Sequence, residues 1–161
     1  MKFKSTNLLG ILILAYCVWN AKDLIQSWFQ ISLYEHYSWI ILAVWLLPWL
    51  YFWLIAARSG ERVINSTLLG AALLLSLLGR IGALHLLSYI GLALALAAFV
   101  PWSVSTFIWL VCSITWMPVS GWAASHLALN YIRYLFVVRL VIAAAASFWL
   151  ISWERSKFKK E

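Results

Sequence analysis

Residues 130–153 read NYIRYLFVVRLVIAAAASFWLISW, and this stretch decides the fold class. It is long enough to cross a hydrocarbon core of about 30 Å as one helix, since a span needs about 20 mainly apolar residues. The stretch contains two arginines, Arg133 and Arg139, and no carboxylate. It is therefore predicted to be a transmembrane helix that carries an unneutralised cation.

The remainder of the chain has a similar composition. Of its 161 residues, 65% are hydrophobic and 11% are charged, against roughly 45–50% and about 25% in soluble domains. A soluble domain of this length could not bury so much apolar surface, and disorder requires low hydrophobicity. The composition excludes both classes and predicts an all-α membrane domain.

Five further apolar segments precede the one quoted, at about residues 7–21, 38–57, 63–79, 81–100 and 101–119. Together they predict a polytopic transmembrane helix bundle of about six spans within residues 1–153. Residues 63–100 are short for two full spans, so a re-entrant pair is the alternative. Residues 22–37 mix aromatic and polar side chains, which predicts an interfacial amphipathic helix after the first span. Residues 154–161 are predicted to be a basic cytoplasmic tail.

The net charge of +7 is concentrated in three places. Basic residues lie near the N-terminus, in the polar break at residues 58–62 and in the C-terminal tail. With six spans all three lie on one side, so the positive-inside rule predicts cytoplasmic termini in a bacterial or archaeal inner membrane. Because the clusters adjoin apolar runs, they favour membrane topology and contact with anionic lipids over nucleic-acid binding.

Arg139 lies nine residues into the last span, which is a depth of roughly 14 Å at 1.5 Å per residue. An arginine at the bilayer centre costs about 2.5–3.5 kcal/mol on insertion scales. All five acidic residues of the chain fall at span ends or in loops. Arg139 must therefore snorkel, bind helix-end carbonyls, lie on tryptophan faces or meet a bound anion.

Cys112 lies ten residues into the fifth span, at a depth of roughly 15 Å. It matches Arg139 in height if the fifth and sixth spans are antiparallel neighbours. A nearby guanidinium would favour the thiolate, which is the nucleophilic form. The alternative is that Cys112 is a small buried apolar residue.

A second group of cations is predicted near the outer face. The group comprises Arg80, His85, His126 and Arg133. Candidates for binding an anion or a lipid headgroup are Arg80, His85 and Arg133, together with the deeper Arg139, and His126 is also a candidate base. The alternative is ordinary anchoring of span ends at the interface. The three histidines have no metal-ligand spacing, so neither a metal site nor a cofactor is predicted.

Six of the twelve tryptophans form two spaced series. One comprises Trp45, Trp49 and Trp53, and the other comprises residues 102, 109 and 116, with seven-residue spacing. Such series are typical of helix packing or of a stripe that faces a membrane-protein partner or a second copy. A groove for a lipid chain or pigment is the alternative.

Two further stretches carry a family resemblance. LLGRIGALHLLSYIGLALALAAFV (77–100) and WSVSTFIWLVCSITWMPVSGW (102–122) lie in residues 38–126, which resemble the N-terminal half of the exosortase/archaeosortase family. Cys112-Ser113 is similar to the start of its Cys-Ser-Gly motif, with Ile114 replacing glycine. Residues 130–133 are similar to its Asn-x-x-Arg motif at a shorter spacing, and no histidine follows Arg133. The resemblance implies a membrane transpeptidase that processes sorting-signal proteins with Cys, Arg and His.

Three functions remain in order of preference. The first is a non-enzymatic structural or accessory membrane component that packs against a partner. The second is a cysteine transpeptidase that uses Cys112, Arg133 or Arg139, and His126. The third is a carrier of an anionic lipid.

Overall fold

The computed structural model of the protein describes residues 5–29, 37–59, 64–118 and 132–158. Across these ranges the chain is helical and contains no β-strand, which confirms the all-α prediction. The chain divides into two compact units. The first unit comprises Met1–Asp23 and Trp49–Ser103, and the second comprises Leu24–Pro48 and Val104–Glu161.

The described helices follow the predicted apolar segments closely. In chain order they are α1 (Ser5–Asn20), α2 (Lys22–Phe29), α3 (Ser38–Trp45), α4 (Leu47–Ser59), α5 (Ser66–Ile81), α6 (His85–Ala97), α7 (Val104–Val111), a 3₁₀ turn (Cys112–Thr115) and α8 (Ile132–Phe158). Helix α2 occupies the first part of the predicted interfacial segment, whose residues 30–36 lie outside the described ranges. Helix α8 continues into the predicted tail as far as Phe158.

Two described helical stretches are long and apolar enough to cross a membrane, Ser38–Ile55 and Tyr134–Ser156. Four shorter apolar helices, Leu8–Asn20, Ser66–Ile81, His85–Ala97 and Val104–Thr115, have only 10–17 residues. By length and composition the described residues thus provide two candidate spans. The bundle of six spans stays a prediction.

In the first unit, small residues bring α5 and α6 into close contact. A Cβ atom added to Gly79 would lie 2.5 Å from Ser88 Oγ and 2.8 Å from Ser88 N. One added to Gly91 would lie 2.7 Å from Ser76 Oγ. Helix α1 packs on both helices, and the thiol of its Cys17 donates a hydrogen bond to the Ala72 carbonyl at 3.9 Å. Close approach through small residues is the usual way in which apolar helices pack without a hydrophobic driving force.

The turn between α5 and α6 lies just after the predicted boundary between the apolar segments 63–79 and 81–100. Helix α5 ends at Ile81, with Gly82 as its C-cap, and α6 begins at His85. Ala83 adopts a φ of 53°, in the left-handed region. At the other end of α5, the Asn65 side chain caps the helix by accepting hydrogen bonds from the Thr67 and Leu68 N–H groups at 3.1 and 3.2 Å. Capping satisfies N–H groups that have no partner within the helix.

In the second unit, α8 packs against α3, α7 and the 3₁₀ turn. Its buried side chains recur at the spacing of one helical face. They are Arg139, Ala143, Ala146, Ser147, Leu150 and Glu154. The opposite faces expose large apolar side chains, including Phe148, which is 75% exposed. Helix α8 therefore buries the polar groups Arg139, Ser147 and Glu154 and exposes bulky apolar side chains along its length. The polar side chains of α8 that are exposed, Ser152, Arg155 and Ser156, lie near its C-terminal end.

The predicted span at residues 38–57 is interrupted at Leu46, between α3 and α4. Pro48 has no N–H group, so it cannot donate to the carbonyl of Val44 as the fourth residue along a regular helix would. The hydroxyl of Ser147 on α8 donates to that carbonyl at 3.1 Å. The Val44 carbonyl also accepts a backbone N–H group at the C-cap of α3, so a side chain of α8 supplies a second donor in place of the N–H that Pro48 lacks.

Candidate functional site: a buried arginine beside a tryptophan cluster

Arg139 joins three helical elements of the second unit. Its side chain is only 7% exposed. The guanidinium donates through Nη2 to the Ser38 hydroxyl at 3.0 Å and through Nε to the Thr115 carbonyl. Ser38 is the first residue of α3, and Thr115 is the last residue of the 3₁₀ turn. One side chain of α8 therefore holds the start of α3 and the end of the 3₁₀ turn.

The position of Thr115 explains how a cation is accommodated without a carboxylate. The last carbonyl groups of a helix lack regular partners and carry the negative end of the helix dipole. Helix α7 and the 3₁₀ turn that continues it end at Thr115, so its carbonyl is such an acceptor. The Thr115 hydroxyl donates back to the Cys112 carbonyl at 2.7 Å, which fixes the turn. Of the four environments considered for Arg139, helix-end carbonyls match these contacts.

Two tryptophans of the same unit form a reciprocal pair. The rings of Trp45 and Trp109 stack with centroids 4.0 Å apart and planes 4° from parallel. The Trp45 indole N–H donates to the Trp109 carbonyl at 2.8 Å, and the Trp109 indole N–H donates to the Trp45 carbonyl at 2.9 Å. Both side chains are fully buried. Each carbonyl belongs to the last turn of its helix, where backbone acceptors lack regular partners.

Trp116 connects the pair to the arginine. Its ring is tilted by 56° against Trp45 at a centroid distance of 5.6 Å, and it directly follows Thr115 in the chain. The side chain is fully buried, and its indole N–H has no hydrogen-bond partner within the described part of the chain. Aromatic contacts of this kind add about 0.5–1.5 kcal/mol beyond the burial of apolar area.

The seven-residue spacing of Trp102, Trp109 and Trp116 predicted a shared face, which the structure shows for the last two but not for Trp102. Trp102 precedes α7, which begins at Val104, and is 52% exposed, whereas Trp109 and Trp116 are fully buried. The α-helix also changes to a 3₁₀ turn at Cys112. Trp109 and Trp116 nevertheless both contact Trp45 across this change, so Trp102 alone of the three departs from the shared face.

Cys112 begins the 3₁₀ turn whose last residue is bound by Arg139. Its free thiol is partly exposed. The depth estimate from sequence placed Cys112 level with Arg139, and the structure places both at this turn. The other proposed catalytic residues are less fully described. His126 lies outside the described residues, and Arg133 lies in the first turn of α8 without a described side chain.

Two residues of the predicted cationic group belong to the first unit. Arg80 is exposed in the last turn of α5. His85 is the first residue of α6, and its Nδ1 lies 3.2 Å from Oδ2 of Asp23. Arg139 belongs to the second unit, where it is buried and hydrogen-bonded as described above. Among the described residues, no three His, Cys, Asp or Glu side chains are grouped as metal ligands.

Sequence reasoning did not identify Ser38, Thr115 or Ser147. Ser147 had a usable signal, because Pro48 deprives a helix carbonyl of its donor and a hydroxyl on a neighbouring helix is a common replacement. Ser38 and Thr115 had no comparable signal, since many hydroxyls and carbonyls lie at similar depth. Only the packing of α8 selects these two.

The chain was compared with known proteins at the levels of family, sequence and structure. No family model, no curated protein and no solved structure matches it. The resemblance to exosortases therefore stays a prediction.

Proposed function

We propose that this chain is an integral inner-membrane protein with a structural or accessory role, which packs in the bilayer against a membrane-protein partner or a second copy. The observation that carries this proposal is the distribution of side chains on α8. Arg139, Ser147 and Glu154 are buried, while Phe148 and Val141 are exposed. This is the arrangement favoured when the surrounding solvent is lipid, because every polar group must then be satisfied within the protein.

The contacts of Arg139 support a structural role over a chemical one. Its guanidinium is buried, and two of its donors bind groups that hold the fold, the Ser38 hydroxyl and the Thr115 carbonyl. A catalytic or anion-binding arginine must present donors to its ligand. The arrangement of Arg139 is that of a residue that fixes the packing of α3, the 3₁₀ turn and α8.

The surface available to a partner consists of apolar and aromatic side chains outside the tryptophan cluster. On α8 these include Tyr134, Val138, Trp149 and Trp153, each exposed. Trp45, Trp109 and Trp116 are buried within the second unit and are not part of that surface. Exposed aromatic residues are common anchors of interfaces and of membrane boundaries.

The proposed topology has six spans with both termini in the cytoplasm. The basic clusters at both ends of the chain and at residues 58–62 favour this orientation. Helices of 13–16 residues are about 20–24 Å long, shorter than the hydrocarbon core. A thinned bilayer or a re-entrant hairpin at α5 and α6 accommodates this difference.

Membrane fractionation combined with cysteine labelling tests the proposal. In a background with Cys17→Ser and Cys112→Ala, we expect the chain to stay in the membrane after alkaline extraction. A cysteine at position 22 should react with an impermeant maleimide in intact cells. A cysteine at position 157 should react only after lysis. Extraction into the soluble fraction, or labelling of position 157 in intact cells, contradicts the proposal.

A membrane cysteine transpeptidase is the second candidate. It is favoured by one observation, the presence of Cys112 in the same 3₁₀ turn that Arg139 binds. The test is co-expression with a sorting-signal protein, with processing read as a change in its mass. Processing by the unaltered chain that disappears with Cys112→Ala supports this candidate, and full processing by the variant removes it.

A further inference from the structure

The charged side chains described in the first unit all lie at one end of it. They are Lys22, Asp23 and Arg80. Oδ2 of Asp23 lies 3.2 Å from Nδ1 of His85 at the start of α6, and Arg80 lies in the last turn of α5, directly before the turn that leads to His85. The Lys22 ammonium lies over the Trp19 ring, 5.4 Å from its centroid. We call these five residues the charged end of the first unit.

The turn at the charged end also exposes apolar side chains. Ile81 is 82% exposed and Leu84 is 56% exposed, and they stand between Arg80 and His85 in sequence. In water such exposure is unfavourable. At a membrane interface the same pattern is stabilising, because the apolar side chains enter the acyl region while the cations reach the headgroups.

The length of the helices places the charged end close to the hydrocarbon. Helices α1 and α5 have 16 residues each, about 24 Å, whereas the hydrocarbon core is about 30 Å thick. Cations at the end of a short helix reach polar surroundings by snorkelling or by drawing headgroups inward. Lys22 and Arg80 outnumber Asp23, so the ligand favoured by charge is an anion.

We propose that the charged end binds the phosphate of an anionic phospholipid, with Arg80 and Lys22 as the contacting cations and Ile81 among the acyl chains. Arg80 supplies paired N–H donors that match phosphate oxygens, and Lys22 supplies a mobile point charge. The inference rests on the membrane embedding proposed above. It goes beyond that role because it assigns a lipid class and a site in the first unit.

The test measures lipid retained by the full chain after transfer from nanodiscs that contain equal amounts of phosphatidylglycerol and phosphatidylcholine. Native mass spectrometry gives the ratio of the two retained lipids. The unaltered chain should retain phosphatidylglycerol in excess. Each of Arg80→Gln and Lys22→Gln should lower that ratio about fivefold, since a basic residue near an anionic surface contributes roughly that factor.

Two matched variants separate this site from general charge and from folding. Arg155→Gln removes an exposed cation of α8 that lies outside the charged end and should lower the ratio less than either Arg80→Gln or Lys22→Gln. Ile81→Ser should reduce the total lipid retained without changing the ratio, because acyl contacts do not distinguish the headgroups. An unchanged ratio in the double variant Arg80→Gln/Lys22→Gln, or an equal fall in Arg155→Gln, overturns the proposal.

Excess inorganic phosphate forms the last arm of the experiment. Phosphatidylglycerol that stays bound in its presence supports a lipid site, and displacement by free phosphate overturns it in favour of a soluble anion. A chain that stays in the membrane fraction but shows no headgroup preference refutes this inference alone. A chain found in the soluble fraction refutes the proposed function.

Discussion

Replacing Arg139 with leucine tests the central contact of the second unit. In separated helices Arg139 would face lipid at a cost of about 2.5–3.5 kcal/mol. Its hydrogen bonds to Ser38 and Thr115 relieve that cost when the unit assembles, and leucine removes this gain. The Thr115 carbonyl also loses its donor, which adds about 1–3 kcal/mol. The expected loss is about 4 kcal/mol, or roughly 700-fold in the equilibrium between packed and separated helices.

The assay is unfolding in mixed micelles by titration with a denaturing detergent, followed by near-ultraviolet circular dichroism. The stacked Trp45–Trp109 pair is a suitable reporter because it belongs to the same unit as Arg139. Ser38→Ala removes one of the two bonds and should cost about 1.5–3 kcal/mol, the usual contribution of a hydrogen bond to a charged group.

The control is Arg155→Leu, which removes an exposed arginine from the same helix. It should change the free energy of unfolding by no more than about 0.5 kcal/mol. Apolar residues sometimes replace buried charges with a gain in stability. An Arg139→Leu variant that keeps the tryptophan signal and unfolds no more easily than the unaltered chain therefore refutes the reasoning.

Three further predictions use the same unfolding titration. Trp109→Phe removes one indole donor and part of the stack and should cost about 1–3 kcal/mol, whereas Trp102→Phe alters an exposed ring and should be nearly neutral. Gly79→Ala places a Cβ 2.5 Å from the Ser88 hydroxyl and should cost about 1–3 kcal/mol, while Gly70→Ala has nothing within 4 Å and should cost nothing. Ser147→Ala removes one of two donors to the Val44 carbonyl and should cost about 0.5–1.5 kcal/mol; a loss that is equally large in the presence of Pro48→Ala contradicts the assignment.

Much of the helical structure follows from the sequence alone. Long apolar runs and polar breaks indicate approximately where helices begin and end. A described helix accordingly lies in each of the six predicted segments. The same patterns say little about which face of a helix packs on a neighbour, because a chain surrounded by lipid is apolar both inside and outside. The break at Leu46 and the 3₁₀ turn at Cys112 were missed for a related reason, since hydropathy does not change there.

The sequence predicted that Arg139 requires a compensating partner, but it did not predict which group supplies it. The depth of Arg139 and the absence of a nearby carboxylate required some compensating group, and helix-end carbonyls were among the candidates. The identity of that group depends on how α3, the 3₁₀ turn and α8 pack together. A local sequence pattern does not predict this packing. The seven-residue spacing of tryptophans was misleading because Trp102 lies outside α7.

The reciprocal hydrogen bonds between Trp45 and Trp109 restrict how α3 and α7 can align. Advancing either helix by one residue rotates its side chains by about 100° and shifts them by about 1.5 Å. After such a slip neither indole would reach the other's carbonyl, and both donors would be lost together. Although α3 and α7 differ in sequence, the two equivalent hydrogen bonds form in only one alignment of these helices.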